Sequence, residues 1–351
     1  MSSTQSAGNT SSTVHMSETS GTSNASTTSS PTTAPRGILH GLPWVVWRRH
    51  RATLLTGLAI TVVGCALFAY QRIGVMDFLN AKGTLSNSKV GDLADLILDF
   101  NSKIDPTFSR DSDFLKFVPA VVGVFLGAPL IAREQERGTI KLVMTQSVGR
   151  GRWIAATLGV PLAFVALCTT LLTVAFTWLW SPAHELASGW LGTGPFETTG
   201  PVPVAMTLFV TACGIALGML FKRVITAMAA TAALALVTAL IWSDQIRGRL
   251  ATPRSAMYPY GSDGHIPYGA EQVDWWAATA DGKRFDKGTC YSYDQAADVA
   301  CRAKLGIVNR VTQYFDYGQM AGMQWLGAGI LLALTAVVLA FVVWRARRRP
   351  L

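Results

Sequence analysis

The amino-acid sequence predicts an all-α integral membrane protein with six transmembrane helices, an N-terminal interfacial helix and two long extracytoplasmic segments. Three observations carry that prediction. Half of the 351 residues are hydrophobic and only 15 % are charged, far fewer charges than cover a soluble domain of this size. The apolar residues gather into six runs, 53–70, 114–132, 154–180, 204–221, 224–242 and 321–344, each near the roughly 20 residues that a bilayer demands. Lys and Arg cluster beside alternate ends of these runs: Arg48, Arg49 and Arg51 before the first, Arg133 to Arg152 between the second and third, Lys222 and Arg223 between the fourth and fifth, and Arg345, Arg347, Arg348 and Arg349 after the last. All of these clusters fall on one side when the spans are threaded in order. This is the pattern of an even number of spans with both termini in the cytoplasm, in a cytoplasmic (inner) membrane. The formal charge of +9 is therefore a topology signal addressed to the lipid bilayer, and nucleic acid is not an expected partner.

Taken in order, residues 1–35 are Ser, Thr, Gly and Asn with almost no apolar content. Such a segment cannot bury enough surface to offset chain entropy, so a disordered cytoplasmic tail is expected, and it lacks the apolar stretch of a signal peptide. The six-helix transmembrane domain is expected over 36–351. It begins with "GILHGLPWVVWRRHR", where Trp44, Trp47 and three arginines suit a short helix lying in the headgroup layer before the first span. The alternative is a plain extension of that span.

On the extracytoplasmic side, the segments 71–113 and 243–320 are too long for hairpin connectors, and loops of such length are usually functional or folded. The first contains the amphipathic "KVGDLADLILDF". In the second, Cys290 and Cys301 are the only cysteines outside a span, on the oxidising side of the expected topology, where a disulfide closing the short loop is expected. Cys65, Cys168 and Cys213 lie within spans and are expected to pack, and no cysteine has ligand-type spacing to a histidine.

The spans contain no Asp, Glu or His at their centres, which argues against proton coupling and intramembrane proteolysis. The pairs Gly123 with Gly127 and Gly214 with Gly218 have helix-packing spacing. A phosphate-cradling G-x-x-x-x-G-K-[ST] loop is absent, since Gly282-Lys283 is followed by Arg284 and lacks the upstream glycine; the chain does not hydrolyse ATP alone. No cofactor, metal site or catalytic residue is expected in it.

The longest cytoplasmic connection, 133–153, reads on its own residues either as a plain solvated loop or as a handle for a soluble partner. After the second span, Arg133, Glu134, Glu136 and Arg137 are expected to continue helically into solvent. Gly138 ends that helix and Thr139 caps a new one. Ile140, Val143 and Met144 then share one face at i, i+3, i+4 spacing, apolar knobs for a pocket flanked by charges for register.

The stretch "REQERGTIKLVMTQSVGRGRWIAA" resembles the cytoplasmic loop of ATP-binding-cassette (ABC) exporter permeases of the type-2 class, with their Glu-x-Glu-x-Gly-Thr-like motif and "QPVSR"-like turn. Glu134, Glu136, Gly138, Thr139 and Leu142 match the first part; Gln146, Ser147, Val148 and Arg150 approximate the second. The two long extracytoplasmic segments and the Ser/Thr-rich tail depart from the pattern. The resemblance implies a permease subunit, paired with itself or a sister chain, that docks a soluble ABC ATPase carrying the ATP and Mg. In it, Glu134, Glu136, Arg137, Gly138 and Thr139 would shape the handle, and Ile140, Val143 and Met144 would enter the ATPase groove. The charge-free spans suit an amphipathic or lipophilic cargo. A membrane sensor or assembly protein working through 243–320 is the competing reading, and a secondary carrier a third.

Overall fold

The computed structural model describes residues 42–82, 90–136 and 150–348, except 185, 187, 188, 193, 263–265, 268 and 292. The tail 1–35 and the loop residues 137–149 lie outside the described residues. Nine helices are named in order here: α1 (Leu42–Lys82), α2 (Val90–Lys103), α3 (Asp105–Glu136), α4 (Arg150–Trp180), the single turn α5 (Pro195–Thr198), α6 (Val202–Leu220), α7 (Val224–Arg249), α8 (Gln295–Leu305) and α9 (Tyr317–Arg348). Six of them, α1, α3, α4, α6, α7 and α9, are long and apolar enough to cross a membrane. The chain is a multi-pass, mainly helical membrane protein, with spans in the predicted order.

The described helices run further than the apolar runs. Leu42–Lys82 is one unbroken helix, so from Leu42 onward the expected interfacial helix is not a separate element but an extension of the first span. Its other end also overshoots. Arg72 and Asp77 look like loop residues, but Arg72 stacks 4.1 Å from the Trp178 ring centre and donates to the Trp178 carbonyl of α4. A long cationic side chain with such partners lets the helix continue through a polar stretch. The segment 71–113 is thus mostly helix, with α2 between the ends of α1 and α3.

Both glycine pairs serve one crossing. Gly214 lies so close to α3 that an added Cβ would stand 2.7 Å from the Gly123 carbonyl oxygen, and at Gly218 it would stand 2.5 Å from that of Ala128. Reciprocally, a Cβ on Gly127 would meet the Thr211 carbonyl at 2.7 Å. Backbones can approach this closely only where side chains are missing. At the crossing, α3 opens into a π-turn over Gly123–Gly127, with Ala128 N–H donating to the Gly123 carbonyl. Pro129 follows at once, and its missing N–H and bulky ring disfavour a regular turn, which a wider one relieves.

The segment between α7 and α9 contains four strands: β1 (Arg254–Pro259), β2 (Glu271–Thr279), β3 (Arg284–Phe285) and β4 (Ile307–Phe315), in the antiparallel order β1-β4-β2-β3. The last strand in sequence is central, so the sheet closes only when the whole segment has been laid down. Helix α8 precedes it. Asp294 caps α8 by accepting from Ala296 N–H at 3.0 Å, and Gly306, at φ 67°, ends it in the left-handed conformation, where a side chain would strain. Cys290 and Cys301 are joined by a disulfide, Cα atoms 5.5 Å apart, fastening the turn after β3 to α8. The bundle therefore has a basic end, with Lys222, Arg223 and the Arg345–Arg348 cluster, and a sheet end.

Candidate coupling site

At the basic end, Leu130 and Ile131 of α3 close with Leu158 of α4, Ile215 and Met219 of α6 and Val342 of α9 into one buried apolar cluster. Directly beyond it stand the acidic residues that the sequence places in solvent. Glu134 is instead only 4 % exposed. The reason is helical spacing: it follows Leu130 by four and Ile131 by three residues, on the face that α3 turns to the bundle. Gln135 donates to the Met219 carbonyl of α6 at 3.2 Å. Glu136 Oε2 accepts from Val224 N–H at 3.2 Å.

That last contact reaches across 88 residues. Val224 opens α7, whose cap residue Arg223 offers no side-chain hydrogen bond of its own. Helices begin with unpaired N–H groups and positive dipole ends, so a carboxylate from a neighbouring helix fills the vacancy and is held by it. Arg133, Lys222 and Arg223 are exposed around this junction. The stem of the loop 133–153 is therefore clamped to both α6 and α7. Arg137, Gly138, Thr139, Ile140, Val143 and Met144 lie outside the described residues; among the predicted handle residues, the structure brings together Glu134 and Glu136 alone.

A second polar constellation, at the sheet end, was not anticipated. Glu197 of α5 pairs with Arg247 of α7 at 3.3 Å, their side chains 18 % and 19 % exposed. Glu271 of β2 lies nearby, its Oε2 buried without a partner. Burial pushes the Glu197 carboxyl above its ordinary value, opposed by Arg247 and then Lys116. Burial likewise raises Glu271, against a hydrogen bond from the Leu191 backbone and the charge of Arg247. Gln324 of α9, buried at 5 % exposure, donates to the carbonyls of Phe196 at 3.1 Å and Thr199 at 3.0 Å. Trp190 Nε1 donates to the Gly269 carbonyl at 2.9 Å. Together these bonds tie the α4–α6 connection to the last span and to the sheet. The sequence signal was slight, a charge two residues beyond the Gly194-Pro195 pair. Among the described residues, no group of three or more His, Cys, Asp or Glu could hold a metal ion.

The crossing, the clamped stem and the helices from the body of α1 to nearly the end of α7 fall within one region of family likeness. A sequence model of the family described as "ABC-2 membrane transporter related" matches residues 58–247, more than half of the chain. The chain belongs to this family. It is thus a multi-pass transmembrane permease of the ABC-2 kind, a transport subunit in which the family match ends at Arg247, before the sheet and α9. No curated protein and no solved structure matches the chain.

Proposed function

We propose that this permease is the membrane-spanning subunit of an ABC exporter in the cytoplasmic membrane, moving an amphipathic or lipophilic substrate with ATP hydrolysed on a separate soluble subunit that holds the Mg. It pairs with a second permease chain, itself or a sister. The basic end and both termini face the cytoplasm, and the sheet faces outward. The observation that supports coupling is the clamp at the loop stem: Gln135 on the Met219 carbonyl and Glu136 on Val224 N–H. A push received by 137–149 is delivered to the starts and ends of three spans at once, which suits a rigid-body shift between inward- and outward-open states.

The tagged chain, gently extracted from its native membrane, should bring down a stoichiometric soluble protein carrying a G-x-x-x-x-G-K-[ST] loop. The double variant V143E/M144E should lose that protein while remaining inserted, since charges on the apolar knobs are incompatible with a groove. E136K is less discriminating than its sequence position suggests, because it also removes the acceptor for Val224 N–H; E136Q, which keeps an acceptor oxygen, should keep the partner. Solitary recovery of the wild-type chain, or an undiminished partner with V143E/M144E, would overturn the coupling reading and favour a sensor acting through the sheet.

A further inference from the structure

A cavity of about 180 Å³ lies near the sheet end, between α1, the α2–α3 corner and α4. Its walls are apolar where Val75, Ile104, Phe108 and Leu179 close it, and Gln71 and Thr107 supply its polar side. It reaches the exposed surface of α1 at Gly74, where an added Cβ would meet nothing within 4 Å. An apolar cavity of about 150 Å³ takes a guest of benzene size, so this one holds a head group and a few methylenes but not a whole lipid or drug.

The polar side is incomplete. Gln71 hydrogen-bonds the carboxylate of Asp111, one helical turn along α3 from Thr107 and Phe108. Yet Gln71 Oε1 and Asp111 Oδ2 are each buried without a partner. Unsatisfied acceptors at depth are costly, and although the charge of Arg110 already acts on the Asp111 carboxylate, its Oδ2 is still open to a donor. Both vacancies are acceptors, so a guest must bring donors. A primary ammonium has three N–H donors and no acceptor, and beside the carboxylate it adds to the positive charge that Arg110 supplies.

We propose that this cavity binds the protonated amine head of a single-chain or aromatic amphiphile entering past Gly74, with Gln71 and Thr107 of its wall as acceptors and Asp111, which lies behind Gln71 and outside the lining, reached through the Gln71 side. The amine would be the head group of the cargo class proposed above. Binding itself rests on this chain alone, so an error in the ATPase assignment leaves it standing.

The test uses the full chain in phosphatidylcholine nanodiscs and radiolabelled n-decylamine, with empty discs subtracted. One molecule should bind per chain, saturably. Unlabelled n-decylamine should compete, whereas n-decanol, without the charge, and n-decanoate, with the wrong sign, should not. Q71L and D111N should each weaken binding by more than about tenfold. G74L, which places a side chain at the mouth without meeting the fold, should abolish it. Circular dichroism and size exclusion establish which variants are folded, and should D111N fail, Q71L and G74L decide alone. Unchanged binding in G74L or Q71L, equal competition by n-decanoate, or no saturable component would overturn the proposal.

Discussion

Gly218→Ala is the sharpest test of how the bundle is held. The new methyl would stand 2.5 Å from the Ala128 carbonyl oxygen and 3.5 Å from the Ala132 nitrogen. The first contact is with backbone, so neither a rotamer change nor a flexible tip relieves it; α3 and α6 must separate along the crossing. Overpacking of this kind costs about 1–3 kcal/mol. In a chain of this size that corresponds to a fall in apparent melting temperature of roughly 1–4 °C. A maleimide dye that fluoresces on reaction with thiols reads the event locally, because Cys213, adjacent to the crossing, is 7 % exposed. Gly159→Ala is the control: its Cβ meets nothing within 4 Å, and alanine favours a helix over glycine by up to about 1 kcal/mol. It should melt at or slightly above wild type. G127A/G218A should fall by less than the sum of its singles, since helices already parted accommodate the second methyl. If G218A melts with G159A, the helices do not approach as described and the packing argument fails.

Removing the Gln324 amide in Q324L strands the Phe196 and Thr199 carbonyls, at a cost of about 1–3 kcal/mol; limited proteolysis should cut the 181–201 connection sooner than in wild type, and equal rates would show the bonds to be idle. Glu197 and Glu271 are raised by burial above the ordinary 4.5, so the folded form holds their protons more tightly than the unfolded one. Their contribution to stability is complete below pH 4.5 and is lost as pH rises through the raised values. Between these limits E197Q/E271Q should melt with a flatter pH dependence than wild type, and parallel curves would refute the assignment. Alkylation of the denatured, unreduced protein should label three cysteines, Cys65, Cys168 and Cys213, and reduction should release the Cys290–Cys301 pair; five labels without reductant would contradict the disulfide.

The spans were legible because a bilayer dictates apolar length, and the Gly pairs because spacing marks them as small faces. That the two pairs face each other was not legible, since helix adjacency leaves no trace within either segment. Glu134 was misplaced for a definite reason: charge was weighed above helical phase, although the phase from Leu130 and Ile131 already aimed it inward, whereas Glu136 is exposed as expected. The sheet escaped because its alternation is broken by a register shift between Gln272 and Asp274. Its central strand also lies 36 residues after the start of β2, at Ile307 against Glu271. The cavity escaped because Gln71 and Asp111 fall just outside the apolar runs, where polar residues read as loop.

The same placement gives α3 a mechanical character. One rod holds the clamped stem at Glu136, the glycine crossing at 123–127 and, beside the cavity residue Gln71, Asp111. At about 1.5 Å per residue, Glu136 and Asp111 lie roughly 16 and 21 Å on either side of the crossing. Because the crossing leaves no room for α3 to slide, motion forced on the stem can be accommodated as a tilt about it, and the arms make the far displacement at least as large as the near one. A stem shift of about 3 Å would then move Asp111 by about 4 Å relative to Gln71, enough to part a hydrogen-bonded pair. Spin labels at the exposed positions Tyr70 and Arg110 report this separation. With the proposed ATPase partner bound, a non-hydrolysable nucleotide should shift their distance by several ångströms in wild type and not in V143E/M144E, whereas a constant distance in both would mean that α3 does not work as a lever.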